Sequence, residues 1–342
     1  MRPTSAILIR PLVPEDAPKL ARCFERCYGS SYVADFFYDP EQVRSRMAGG
    51  LLRSVVAVDS SGDIVGHMGL TLRHPGGLTA DAGNTIVDPR YRNQGLAARL
   101  GAGIFELCRE AGLVGFHHYP TTAHPIMQKL AVQGGGIETG VMLDYIPAGT
   151  RYRELVDDAA DHRTAVVVVY QPLAAAPARE VFLPERYARL MGALWERAGL
   201  RRSALDAAGT LPPSPTRLEF TRDVRRGLVR LEVERPGADL PDRVAEATSA
   251  DRADIDVIQL DLLLSDSGVS MAVEALRAQG FFFCALLPEY RGADVLRLQR
   301  LPDTRDGPVF PELATPRGRE LLDVIARDRA EALADRRAPE AW

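Results

Sequence analysis

Lysine is almost missing from this 342-residue chain: Lys19 and Lys129 are the only two among 42 basic residues. The rest are arginines, a choice that reads either as coding bias or as phosphate recognition, which the planar guanidinium fork suits. Cysteine is also scarce. Cys23, Cys27, Cys108 and Cys284 show neither a metal-ligand nor a disulfide spacing, so no metal site is expected. Cys23 and Cys27, four apart in a helical pattern, read as a buried pair of thiols. No stretch reaches the roughly 18 apolar residues of a membrane span. The opening "MRPTSAILIRPLVPEDAPKL" also lacks the layout of a signal peptide. These absences point to a cytoplasmic protein with reduced thiols and no membrane partner. A large charge excess is lacking as well: the net charge of −4 argues against a generic electrostatic binder of nucleic acid.

What is present is the material of a packed protein. Hydrophobic residues make up 46% and charged residues 26%, and the length has room for two domains. "AILIRPL" alternates like a strand, and "VPEDAPKLARCFERCYG" follows with helical spacing. "YVADFFYDPEQVRSRMAGG" continues as a second helical segment. "RSVVAVDSSGDIVGHMGLTL" is two apolar runs around "DSSGD", a hairpin signal. "GNTIVDP" is a strand, "RNQGLAARLGAGIFELCREAG" a helix, "LVGFHHYP" a strand, "HPIMQKLAVQGG" a short helix and "IETGVMLDYIP" a strand. The expected order is strand, helix, helix, three strands, helix, strand, helix, strand, an α/β domain over residues 1–150. Residues 151–178 read as a linker carrying one apolar strand. From 179 to 303 come a helix, two strands around "RRG", and then strand, helix, strand, strand, matching the close of the first half. Residues 304–342 read as an amphipathic helical tail.

The chemistry concentrates at "YRNQGLAARL". A strand running straight into a helix N-terminus gathers unpaired N–H groups and the positive end of the helix dipole at one point, which favours an anion such as a pyrophosphate. Gly95 permits close approach of the backbone, Ala97 keeps the next turn slim, and Arg92 can add charge-assisted contacts. The alternative reading is an ordinary helix start.

"RNQGLA" resembles the Arg/Gln-x-x-Gly-x-Gly/Ala motif of the GCN5-related N-acetyltransferase (GNAT) superfamily. The preceding "IVDPRYR" and the element order from Ala6 to Pro147 are similar to that superfamily too. "HPIMQK" resembles a segment of acetyltransferase-like modules fused to regulatory domains. The resemblance implies two GNAT-like α/β domains, each a mixed, mostly antiparallel twisted sheet flanked by helices. The second would be a degenerate copy without a phosphate motif. It implies acetyl-CoA or another acyl-CoA as donor, with Ile86, Val87, Arg92, Asn93, Gln94, Gly95, Leu96 and Ala97 as the cofactor-binding set.

Catalytic groups are harder to assign. Asn84 stands on the fourth strand where a glutamate base would be comfortable. Asp81 is the nearby carboxylate, either a base or a turn aspartate. The resemblance places a general-acid tyrosine at position 131, where this chain has alanine. His117, His118 and Tyr119 are the substitutes at hand, and His117 and His118 must face opposite sides of a strand. Tyr28, Tyr32 and Tyr38 are candidates for the wall of an acceptor pocket, with His67 and His74 as further lining and His124 as a cap of the next helix.

The reaction so implied is transfer of an acyl group from acyl-CoA to the amine of a small molecule by direct attack, suited to a bacterial biosynthetic or modifying role. Two alternatives stay open. One is an aminoacyl-tRNA-dependent transferase on a tandem scaffold, with Arg201, Arg202, Arg222, Arg225, Arg226 and Arg230 as a basic strip for tRNA. The other is a non-catalytic acyl-CoA-binding module.

Overall fold

In the computed structural model the described residues are 7–30, 32, 34–73, 76–150, 161–249, 255–302 and 309–337. The chain divides into two units, one ending at His118 and the other starting at Tyr119. Residues 151–160, between the two, fall outside the described residues.

The first unit contains strands β1 (Leu8–Pro11), β2 (Leu52–Val58), β3 (Ile64–Thr71), β4 (Thr79–Val87) and β5 (Gly115–His118). They lie side by side in that order. β1 through β4 pair antiparallel, while β5 lies parallel to β4. Helix α1 (Ala17–Tyr28) buries Leu20, Cys23, Phe24 and Cys27, spaced to fall on one face. The two thiols are therefore core groups, as their spacing suggested. A short turn at Asp35–Tyr38 leads to α2 (Pro40–Ala48), whose start is capped by Asp39 accepting from Glu41 N–H at 2.9 Å. Phe24, Phe37, Val43, Val56, Ile64 and Ile86 form the core between these helices and the sheet. Helix α3 (Leu96–Glu110) turns Leu96, Leu100, Ile104 and Leu107 inward.

The second unit carries α4 (Ile126–Gln133), β6 (Ile137–Ile146), β7 (Thr164–Pro172), β8 (Arg179–Phe182), α5 (Ala188–Arg197) and β9 (Arg202–Leu205). It continues with β10 (Arg217–Asp223), β11 (Leu228–Arg235), α6 (Leu240–Ala247), β12 (Val257–Leu263) and α7 (Val269–Arg277). β13 (Phe282–Leu287), β14 (Val295–Arg300) and α8 (Pro316–Arg337) close it. The strand order is β7-β6-β13-β14-β12-β11-β10, with β8 and β9 as a separate parallel pair. The strand expected inside the linker pairs antiparallel with β6 and is a full sheet member. β10 and β11 are antiparallel, β11 and β12 parallel, and β12 and β14 antiparallel. One large core lies beneath α5, α6, α7 and α8. The C-terminal helix seals it with Leu321, Leu322, Ile325 and Ala332. No helix among the described residues is long and apolar enough to cross a membrane.

Candidate active site

Two features of β4 set up the site. β5 accompanies it for only four residues, from Thr79↔Gly115 to Ala82↔His118. β4 then runs on alone from Gly83 to Val87 on that side, leaving every second N–H and C=O of the stretch without a ladder partner from β5. The ladder to β3 breaks at the same place: Gly69 pairs with Gly83 and His67 with Ile86, so Asn84 and Thr85 together oppose Met68. This is a β-bulge, and Asn84 takes a left-handed backbone with φ +54°. A bulge bends its strand, and the ladder to β5, all four of whose residues are paired, ends two positions before it.

The bulge is held from both ends of Asn84. His67 Nδ1 donates to the Asn84 carbonyl at 2.9 Å, and its Nε2 lies 2.9 Å from Ser54 Oγ. Those partners fix the neutral ring as the Nδ1–H tautomer, accepting from the serine hydroxyl. Burial pushes the His67 pKa down to about 4, because a charged ring loses its hydration there. Tyr32 OH donates to Asn84 Oδ1 at 2.9 Å, and Tyr32 N–H donates to Tyr38 OH at 3.0 Å. Tyr28 packs against Tyr32 with ring centroids 4.8 Å apart. The three tyrosines thus form one wall beside the bulge. The expected pocket-lining role of His67 is corrected: with no exposed surface and both nitrogens engaged, it supports Asn84 from beneath.

Beyond Val87 the chain turns into α3 through a braced loop. Asp88, 1% exposed, accepts from Arg90 N–H at 3.1 Å, from the Arg90 guanidinium at 2.7 and 3.0 Å and from Arg26 Nε at 2.6 Å. Although burial opposes ionisation, these donors hold its pKa down at about 2. Arg92 Nε donates to the Val87 carbonyl at 3.2 Å. Asn93 and Gly95 are both left-handed, φ +59° and +71°, and no side chain caps the helix at Gly95. Asn93, Gln94 and Gly95 are exposed, Arg92 and Ala97 half-buried, and Leu96 is buried in the core. A Cβ added to Gly83 or Gly95 would meet no atom within 4 Å. The helix end and the stretch of β4 that β5 does not pair therefore leave backbone groups open within the first unit.

The other candidates are placed as follows. Asp81 lies in the paired part of β4, five residues or about 15 Å of strand before Ile86, and is ion-paired with Arg73 at 3.2 Å. His117 is fully buried and stands in register with Asp81. His118 faces the opposite side, its ring edge-on to Phe116 at 5.5 Å, and burial with help from His117 lowers its pKa to about 4. Tyr119 belongs to the second unit, packed against a cluster containing Met142, Val166 and Tyr290. Ala131 is a core residue of that unit. Gln128 of the "HPIMQK" segment is structural, donating to the Thr121 and His124 carbonyls and accepting from Ala314 N–H. His124 does not cap α4, and His74 lies outside the described residues. Sequence reasoning missed the asparagine bulge as a structural device; its signal is the Gly83-Asn84 pair inside a strand.

Of the arginines expected as a basic strip, Arg201, Arg222 and Arg225 are exposed, and several of the six have partners within the chain. Arg202 is buried between Glu289 and Asp294, Arg226 donates to Tyr145 OH, and Arg230 donates to Gln259. Arg222 reaches the Ala247 carbonyl.

Residues 18–125 match the model of the Acetyltransferase (GNAT) family, so this segment carries the family's signature. Solved structures are similar to about half the chain. One is the ribosomal-protein-S18-alanine N-acetyltransferase from Escherichia coli, 16% identical over 50% of this chain and 97% of that one, with a TM-score of 0.40. A second is the GNAT family N-acetyltransferase YhbS from Escherichia coli in complex with CoA, 20% identical over 51% and 85%, TM-score 0.33. A third is the spermidine/spermine N-acetyltransferase SpeG from Vibrio cholerae in complex with manganese ions, 14% identical over 49% and 92%, TM-score 0.38. At such identities and scores they assign no residue and no substrate. No curated protein matches the chain.

Proposed function

We propose that the protein is an acyl-CoA-dependent N-acyltransferase that passes an acetyl or other acyl group to the amine of a small molecule by direct attack. The observation that carries this reading is the open helix end beside the parted strands: left-handed Gly95 with no atom within 4 Å of an added Cβ, next to five residues of β4 that β5 does not pair. The N–H groups at Gly95, Leu96 and Ala97 would hold the pyrophosphate, with Arg92 beside them. Backbone groups at Ile86 and Val87 would pair with the pantetheine arm. Acyl-CoA would supply an activated thioester carbonyl. The protein's own part is positioning and polarisation: a β4 N–H beyond the bulge favours the developing oxyanion, and the tyrosine wall orients the acceptor. We assign the second half as a degenerate copy of the same architecture; an antiparallel pair followed by a parallel one, β10–β11 and β11–β12, parallels β3–β4 and β4–β5. It would act as a scaffold.

The test is titration calorimetry with acetyl-CoA followed by thiol detection of CoA release in the presence of a mixed amine panel. Binding in the roughly 1 µM to 1 mM range with amine-dependent release is expected. Binding without release for any amine would leave a sensor module instead. Salt-sensitive tRNA binding without acetyl-CoA binding would favour the aminoacyl-tRNA reading.

A further inference from the structure

Among the described residues β10 ends the second unit's strand order and pairs with β11 alone. Arg217, Glu219, Phe220, Thr221 and Arg222 are all exposed. Every second residue of such a strand turns its N–H and C=O outward, a row of groups that another strand can meet. Chains often guard an edge by shortness or by proline. β1 in the first unit has both, four residues ending at Pro11, whereas β10 has seven residues and no proline. It also presents a large apolar group: Phe220 is 50% exposed, with the Arg222 guanidinium 5.7 Å from its ring centroid.

Charges remain as a guard, and their order favours one pairing. The strand reads Arg-Leu-Glu-Phe-Thr-Arg-Asp. Two copies that extend the sheet across a two-fold axis pair antiparallel, with the axis through one residue so that the faces stay aligned. With the axis at Phe220, Arg217 of each copy stands opposite the partner's Asp223, and Glu219 opposite the partner's Thr221. Leu218 then lies under the partner's Arg222 stem, and the two Phe220 rings meet on the axis. An axis at Glu219 sets two glutamates face to face, one at Thr221 sets Glu219 against the partner's Asp223, and one at Arg222 opposes two arginines. An axis at Leu218 keeps only the pairs within Arg217–Glu219. Opposite charges across strands stabilise a pairing and like charges weaken it, so the sequence admits the Phe220 register and resists its neighbours. Asp223 is already positioned at the strand end, accepting from Arg226 N–H at 3.1 Å, and a carboxylate has further acceptor sites to offer. We propose that β10 is a self-association edge, through which two copies of the chain join antiparallel in the register centred on Phe220. The proposal stands apart from the acyltransferase reading. A ladder of this length belongs to the small, reversible class of interface, below roughly 1,200 Å².

The experiment is sedimentation velocity of the full chain from about 1 µM to 1 mM, with wild type, Arg217→Asp, Asp223→Arg, an equimolar mixture of those two, and Phe220→Lys. The wild type should pass from monomer to dimer within that range. Arg217→Asp and Asp223→Arg each place like charges at both ends of the ladder, and each alone should raise the dimer Kd about tenfold or more. In the mixed dimer every end again holds one arginine and one aspartate, so the mixture should return to within about threefold of the wild type. A variant that merely misfolds gains nothing from mixing, which separates lost contact from lost structure. Phe220→Lys, at an exposed position, brings two ammonium groups onto the axis and should also raise Kd about tenfold. A wild type that stays monomeric throughout overturns the proposal and leaves the edge to a strand of another protein. A dimer whose Kd both charge variants leave within about twofold overturns it as well, and so does a mixture no tighter than its components.

Discussion

Two parallel strand pairs in this chain, each followed through a turn by a helix, differ in what they do with their helix N-terminus. At the β4–α3 turn no side chain caps Gly95, and an added Cβ there would meet nothing. At the β11–α6 turn the chain fills its own cradle. Gly237 N–H donates to Thr216 Oγ1 at 2.9 Å, Ala238 N–H donates to the Pro212 carbonyl at 2.8 Å, and Asp239 accepts from Thr216 N–H at 2.7 Å. A Cβ on Gly237 would lie 2.0 Å from the Ser214 carbonyl oxygen. The strands differ in the same sense. β5 leaves β4 after four pairs, whereas β12 follows β11 for six, from Leu228↔Val257 to Val233↔Leu262. β4 carries a left-handed bulge, while β10 and β11 pair without interruption from Leu218↔Val233 to Asp223↔Leu228.

A sheet that only needs stability closes its ladders and satisfies its helix ends internally. A sheet that must admit a ligand leaves donors unmet and maintains a strained residue to do so. The first pair shows the left-handed bulge and the uncapped helix end, and Asp88 ties the turn between them to Arg26 and Arg90. In the second pair glycine serves close packing, where in the first it serves a positive φ.

The sharpest way to break this contrast is to substitute both glycines. Gly95→Asn keeps a residue that tolerates the left-handed region yet places a side chain over the helix end. Acetyl-CoA affinity should fall at least about 100-fold, or ~2.7 kcal/mol, with the melting temperature nearly unchanged. Gly237→Ala should do the reverse, destabilising the fold by about 3 kcal/mol through overpacking and leaving the affinity of the folded protein intact. Calorimetry beside thermal denaturation reads both. Equal affinity losses would erase the distinction between the two turns.

A smaller effect is expected at the brace. Asp88→Asn removes the charge that Arg26 and Arg90 share but keeps the shape. The arginines are partly exposed, so about 1–2 kcal/mol of stability should be lost, together with a several-fold weaker acetyl-CoA affinity as the α3 start loosens. Because the Asp88 pKa is depressed to about 2, its contribution is whole above the unfolded value near 4 and fades as pH falls toward 2. Denaturant titrations at pH 6 and pH 3 should therefore show the variant's deficit shrinking at the lower pH.

Much of this was legible in the residues. The run from β1 to β6 follows periodicity and turn signals that are local, and "RNQGLA" declares its helix end in six residues. The second half was read less completely. α6 hides between Pro236, Gly237 and Pro241, and β8 and β9 are four residues long, too short for alternation to register. The bulge was not legible because a left-handed asparagine in a strand depends on distant partners: Ser54 and His67 below it and Tyr32 beside it. His67 was misplaced for the same reason, since an isolated histidine in a strand gives no sign of whether both nitrogens will be satisfied.

The smallest predicted effect tests the bulge through pH. All six histidines lie at or before His162, so none accompanies β10 to β14. His67 is held neutral by burial, its pKa lowered from 6.5 to about 4. A histidine with a depressed folded pKa contributes fully above the unfolded value, and its contribution is lost as pH falls from about 6.5 through 4. Between pH 7 and 5.5 the cost is about 1 kcal/mol, one pH unit of proton uptake favouring the unfolded state. Hydrogen exchange should show protection of the β3–β4 amides weakening over that interval while the β11–β12 amides keep theirs. His67→Gln, which can still donate to Asn84 and accept from Ser54, should remove about half of the pH dependence at β3–β4, the remainder belonging to His118 on the paired β5, whose pKa burial also lowers to about 4. If both strand pairs lose protection together, the two halves unfold as one unit and the bulge is not the acid-sensitive element.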